Sequence, residues 1–415
     1  MFYSFTKKVM EESKIRELLA TIPGSKRAAN GVIIPGEDGA FFHAVNVIKK
    51  EEMNGLTQEE TFFVGFCAKS EIIRLRSLKT PHDYLLRIRA YAIVDKMRAY
   101  RVMLARKQKF TATGKPWSLS SYYHSKDHYH KSYINRLFSK DSKRLKRLPS
   151  GLAFIQEANA ICIRSLLGEV VVVSESLEYF YYFMTIAFYG ANFSIPVQDR
   201  SHALLIAARI MNGSEALDFE IDPRGSLPGE IERKIQELVS AQMEFTYGHE
   251  YSHHLLGHTD VPGTKLIAIH SSTNQTAPEN MIVYSHDLEF QADLNALKKI
   301  EHDKKAFSLI TMGAFSVFLY LNFLEEAHQA LGIKRFSVSS THPAPIDRLW
   351  RLHRCLGAKS PLSTPSLNEC LEVSQELSKM FVADVKRGRS DALTFYGSVY
   401  LPSYKNRQLI DRIDF

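Results

Sequence analysis

The chain has only four cysteines in 415 residues (Cys67, Cys162, Cys355 and Cys370), and no two of them form a CxxC pair. That excludes a disulfide scaffold and a cysteine-built zinc site, and it suits a reducing cytoplasm. It lacks internal repeats and low-complexity tracts. With 45% apolar and 24% charged residues it is not a disordered, collagenous or coiled-coil chain. The opening residues, MFYSFTKKVMEESKIREL, mix both signs of charge and hold no apolar core of about 7–15 residues, so no secretory signal is expected there. Long apolar runs are nearly absent as well. The exception is 306–324, AFSLITMGAFSVFLYLNFL, 19 uncharged residues. As a helix rising about 1.5 Å per residue it would just span a hydrocarbon layer. Its Ser308, Thr311, Gly313, Ser316 and Asn322 suit a buried core helix equally well.

Acidic residues are scarce in one place. From Arg74 to Arg147 there are 20 Lys and Arg against four acids, whereas the rest of the chain holds 33 against 41, which together make the net charge of +8. Leu86, Ala90, Ile93, Val94, Met97 and Arg101 recur at helical spacing within this strip. It is read either as a solvated helical face followed by a basic linker, or as a docking surface for nucleic acid or an acidic protein. No RNA- or DNA-binding motif accompanies it. His124, His128 and His130, interleaved with Lys and Tyr, are read as surface residues rather than ligands.

Before the strip, GVIIPGEDGAFFHAVNVI predicts a strand pair. After Pro149–Gly151 come two β-rich runs, ANAICI and EVVVVS, with a turn near Gly168, then a buried helix, SLEYFYYFMTIAFYG. Residues 191–228 read as a loop-rich insertion around a helix, SHALLIAARIMNG. Residues 230–258 carry Ile231, Ile235, Leu238, Phe245, His249, His253 and Leu256 on one face of a long helix. His249-Glu250-Tyr251-Ser252-His253 is an HExxH sequence. Histidines four apart on a helix project one above the other and can share a zinc ion, with Glu250 turned toward the open coordination position as general base.

A third ligand is needed. Seven and ten residues after His249 stand Leu256 and Thr259, so the metzincin pattern fails. The gluzincin pattern, a glutamate on a later helix, is met by HDLEFQADLNAL, where Glu289 and Asp293 share a helical face. Glu289 is the expected third ligand, and Asp293 the acceptor that fixes the tautomer of a ligand histidine.

HEYSHHLLGH with its extra His258, Glu289-Phe290-Gln291-Ala292-Asp293 and STHPAPIDRL together resemble the HtpX and CAAX-prenyl-protease family of gluzincins, in its order, over about residues 155–355. The pattern is also similar to the soluble Lit-type phage-exclusion peptidases. The chain departs from the family in Ser252, where Ala or Gly is usual, in the long 191–228 stretch, and in having one membrane candidate at most.

The resemblance implies a zincin-like domain in an α+β, mostly helical chain: a small edge sheet, an HExxH helix and an ExxAD helix, with helical flanking regions. It places His342 near the active site as an oxyanion donor or a packed turn residue, and gives Arg348 the task of anchoring the His-Pro loop through a carboxylate. Tyr247, Tyr251 and Tyr284 are other candidate donors. The segments expected are 1–70, an N-terminal α/β part; 71–150, basic helices and linker; 151–358, the metallopeptidase; and 359–415, a helical extension containing LNECLEVSQELSKMFVADVKRG.

The activity expected is that of a cytoplasmic zinc endopeptidase with Zn2+ on His249, His253 and Glu289, possessing an edge strand, EVVVVS or ANAICI, for an extended substrate, and with an antiviral role implied by the Lit likeness. The alternative is a nucleic-acid-binding regulator whose zinc fold is structural or vestigial. A bilayer crossing at 306–324 would put Glu289 and His342 on opposite faces, so that run is expected to be a core helix.

Overall fold

The computed structural model describes residues 12–28, 31–36, 41–44, 53–94, 97–155, 159–260, 265–269, 279–283, 285–333, 342–387, 393 and 397–405. Contacts divide the chain into two compact units, residues 1–65 and 66–415. In the first, α1 (Glu12–Thr21) precedes a meander of β1 (Lys26–Ala28), β2 (Gly31–Pro35) and β3 (Phe41–Ala44). The expected strand pair is β2 with β3, in register Val32 to Ala44. Ile15 of α1 and Val32 of β2 form its small core, with Leu18, Leu19, Ile34 and Ala44 around them.

The second unit begins with the basic strip, and its helices are packed into the body rather than displayed on it. They are α2 (Lys69–Arg76), α3 (Pro81–Val94), α4 (Met97–Thr111), α5 (Leu119–Ser125), α6 (His128–Arg136) and α7 (Ser139–Leu145). Thr80 and Asp83 exchange backbone-to-side-chain hydrogen bonds at the start of α3, a capping box that satisfies two helix-end donors. Leu86, Ala90 and Ile93 are buried, as their spacing predicts. The expected basic linker is instead helical: Ser139–Leu145 is α7.

A three-stranded sheet follows: β4 (Ser150–Ala153), β5 (Ala160–Ser165) and β6 (Gly168–Ser174), in the order β4-β6-β5. β5 and β6 form the expected antiparallel pair, closing between Ser165 and Gly168. β4, not foreseen, lies parallel to β6. The run EVVVVS is therefore the central strand, its backbone paired on both sides, and it cannot accept a substrate strand; the outer strands of this sheet are β4 and β5. Tyr84 and Leu85 of α3 pack against Ile163, Val170 and Val172 of this sheet.

Next come α8 (Glu175–Tyr189), α9 (Val197–Met211) and the 28-residue α10 (Gly229–Leu256). A two-stranded hairpin, β7 (Lys265–Ile269) with β8 (Glu279–Val283), lies beside β5. The remaining helices are α11 (His286–Lys298), α12 (Lys304–Leu331), α13 (Pro345–Leu356) and α14 (Thr364–Lys386). α10 is the axis of the unit, with α6, α8, α11, α12 and β5 against it.

The uncharged run forms the body of α12, and 72% of its most apolar 18-residue stretch is buried within the protein. Its polar residues are satisfied there: Ser316 meets the Tyr189 hydroxyl at 2.7 Å, Thr311 bonds the Phe307 carbonyl and Asn322 bonds Glu326. A Cβ on Gly313 would lie 2.7 Å from the Ala241 backbone, so glycine is what lets α12 approach α10.

Candidate metal centre

The C-terminal half of α10 is buried from Ala241 to His253, which removes both motif histidines from water: His249 is 6% and His253 1% exposed. Leu256, expected on the same face, is exposed, because the helix ends there. Gly257, at a φ of 73°, closes the helix in the left-handed conformation that glycine adopts without strain. The chain then doubles back so that His258 is buried against His253.

The two imidazoles meet through Nε2 atoms 3.1 Å apart. Glu289, in the first turn of α11, approaches both, Oε2 at 3.3 Å from His249 Nε2 and Oε1 at 3.5 Å from His253 Nε2. One ligand atom from each of the three lies within 4.8 Å of the others, and Glu289 is 1% exposed. The 36-residue separation of His253 and Glu289 is thus closed by the packing of α11 on α10.

The outer nitrogens are held separately. His249 Nδ1 is 2.8 Å from Asp293 Oδ1, one helical turn beyond Glu289. Arg348, on α13, grips the same carboxylate with two hydrogen bonds, Nη2 to Oδ1 at 2.6 Å and Nε to Oδ2 at 2.9 Å. Its expected role as an anchor therefore has a named acceptor, Asp293. His253 Nδ1 is 3.0 Å from His258 Nδ1. With Nδ1–H donated outward to Asp293 and to His258, both Nε2 lone pairs face the same point, the tautomer a metal requires.

Two further observations fit a divalent cation. Neither oxygen of the buried Glu289 accepts a hydrogen bond of good geometry, although such groups are normally satisfied. The charge balance also calls for a cation. Burial alone would lower His249, but Asp293 and Glu289 outweigh it and hold the imidazole up to about 10, while burial and the neighbouring His249 keep His253 well below its ordinary value. The two carboxylates thus favour positive charge at this point. Nitrogen and carboxylate donors in a set of three match the donor chemistry of zinc.

Glu250 is 5% exposed, and burial pushes its carboxyl up to about 7, opposed by His249 and by a hydrogen bond from the Cys162 backbone on β5. The edge strand and the expected general base are therefore neighbours. His342 enters between α12 and α13, its Nε2 3.6 Å from Glu289 Oε2, and at 28% side-chain exposure it is the most open group of the cluster.

Other expected residues lie elsewhere. Tyr247 and Tyr251 turn to α6, where they meet His130 and Tyr133, away from the histidine face. Tyr284 is outside the described residues. His124 and His128 are exposed, and His130 is partly buried 3.3 Å from Asp127. Ser252, the departure from the family pattern, bonds the Gly248 carbonyl and accepts from Asn295 Nδ2 at 3.0 Å, tying α10 to α11. Sequence reasoning noted His258 only as a family mark. Its contact with His253 depends on the reversal at Gly257, for which the Gly-His pair after the helix was the available signal.

Comparison of the chain with protein-family models, with curated proteins and with solved structures finds no match.

Proposed function

We propose that this protein is a zinc-dependent endopeptidase. The observation that carries the reading is the meeting of two imidazole Nε2 atoms and a carboxylate that receives no well-formed hydrogen bond, beside a buried glutamate on the helix of the two histidines. His249, His253 and Glu289 would hold the ion, with Asp293, Arg348 and His258 fixing the two rings. When bound, the ion acts as a Lewis acid toward water and the scissile carbonyl. Glu250, with a carboxyl near neutrality, takes the proton of the attacking water and returns it to the leaving amine nitrogen, which a base with a pKa near the working pH does best. His342 would donate to the carbonyl oxygen as negative charge develops on it.

The test is a pair of measurements on wild type and Glu250→Gln. Elemental analysis is expected to find about one zinc per chain in both, and none in His249→Ala or Glu289→Ala. New protein termini are expected in cells expressing wild type, falling by about 10²–10⁴-fold in Glu250→Gln. Undiminished cleavage by Glu250→Gln would refute the assignment of the base.

A further inference from the structure

Part of the excess positive charge of the basic strip is engaged inside the unit. Arg106 pairs with Glu175, Arg136 with Glu244 and Lys126 with Glu220, and Arg89 bonds the Leu152 carbonyl. One group is different. Lys140, Lys143, Arg144 and Arg147 of α7 and its C-terminal extension are exposed, and among the described residues none of them pairs with a carboxylate. The acid among them, Asp141, is taken by Lys299 at 2.7 Å.

These four side chains line a cavity of about 500 Å³. Pro81, Leu148 and Pro149 also line it, as do Glu169 and His254, which are paired with each other through the Glu169 carboxylate and His254 Nδ1. The lining therefore retains an excess of positive charge. The volume is that of a small-molecule site. No Phe, Tyr or Trp lines it, so it lacks the rings on which single-stranded nucleic acid stacks its bases.

We propose that this cavity binds a compact polyphosphate, a small anion carrying several phosphoryl groups, independently of the metal centre. Arg144 makes the site more than a charged surface. Its guanidinium also donates to the His254 carbonyl at 2.9 Å and the Leu255 carbonyl at 3.3 Å, closing the last turn of α10. A ligand phosphoryl group shares that guanidinium with the carbonyls that follow His253. The cavity is thus wired to the helix that carries the histidines, and an anion there is suited to act as an effector.

Inorganic tripolyphosphate, titrated calorimetrically into the metal-free full-length protein, is the probe. Saturable one-to-one binding is expected, weakened about tenfold or more in Lys143→Ala/Arg147→Ala. It should be unchanged in Lys109→Ala/Lys146→Ala, which removes two exposed charges outside the cavity. All four residues are exposed, so both variants should melt with wild type. Absence of binding, equal weakening in both variants, or tighter binding of an oligonucleotide or an oligoglutamate peptide would overturn the proposal. None of these outcomes bears on zinc content.

Discussion

Two buried clusters of charge stand in the same unit, and they are built on opposite plans. In the 191–228 insertion, Arg209 and Arg224, both 0% exposed, share Glu215, and Arg224 also pairs with Asp218 and Asp222 at 2.6 Å each. The cations meet the carboxylates directly, and the ring holds two non-glycine residues, Leu217 and Arg224, at φ values of 55° and 60°. A left-handed residue costs about 1–2 kcal/mol, which the ring offsets. At α10 and α11, Glu289 is equally buried but receives no well-formed hydrogen bond, and two imidazole nitrogens face each other across the same point. In the first cluster every carboxylate has a cation and the ring fixes a loop, whereas in the second the carboxylate and the imidazoles are a group that could hold a metal ion.

The largest expected effect falls on the first cluster. Arg224→Met leaves three carboxylates short of a partner and should cost about 3–5 kcal/mol in urea unfolding. Zinc per folded chain should not change, and a loss of zinc would show that the two clusters are not independent. Chelation probes the second. Removing the ion should lower stability by about 3 kcal/mol where zinc had stood near a hundredfold above its dissociation constant. Thermal melting of His253→Ala should then be indifferent to chelator.

A third cluster sharpens the contrast through pH. Glu220 is opposed by burial, but Arg106 and Lys126 hold its carboxyl down to about 2 from an ordinary 4.5. A carboxylate depressed on folding contributes stability that is complete above its unfolded value and is lost as pH falls. Unfolding free energy should therefore decline from about pH 4.5 toward 2, and the decline should be shallower in Glu220→Gln. The smallest effect is expected of Ser252→Ala, which removes the Asn295 contact at a cost of about 0.5–1.5 kcal/mol with zinc retained. A loss of zinc there would give the α10–α11 tie a part in the site.

Much of the site was legible because it is written at helical spacing. His249, Glu250 and His253 need only α10 to be a helix, and Glu289 and Asp293 only α11. The core character of α12 was legible too, because a bilayer crossing there would have parted Glu289 from His342, whose side chains lie 3.6 Å apart. The sheet was read less well. EVVVVS looked like an edge because Ser150–Ala153 is four residues with a glycine, too short for a period to show, and its parallel pairing to β6 is long-range. The basic strip misled through its charge. Arg106 and Arg89 are buried, yet nothing local distinguishes them from the exposed Lys143 and Arg147.

By itself the sequence determined what periodicity and short spacing encode: which helices form, where the apolar run belongs, and which residue types could share an ion. Only the tertiary structure decided which of them meet. Asp293 with Arg348, His253 with His258, Glu250 with the Cys162 backbone and Arg144 with the end of α10 are joined by chain reversals and helix packing. Burial then sets how strongly each charge is felt, because a charge removed from water interacts through a lower dielectric and must find its partner within the fold.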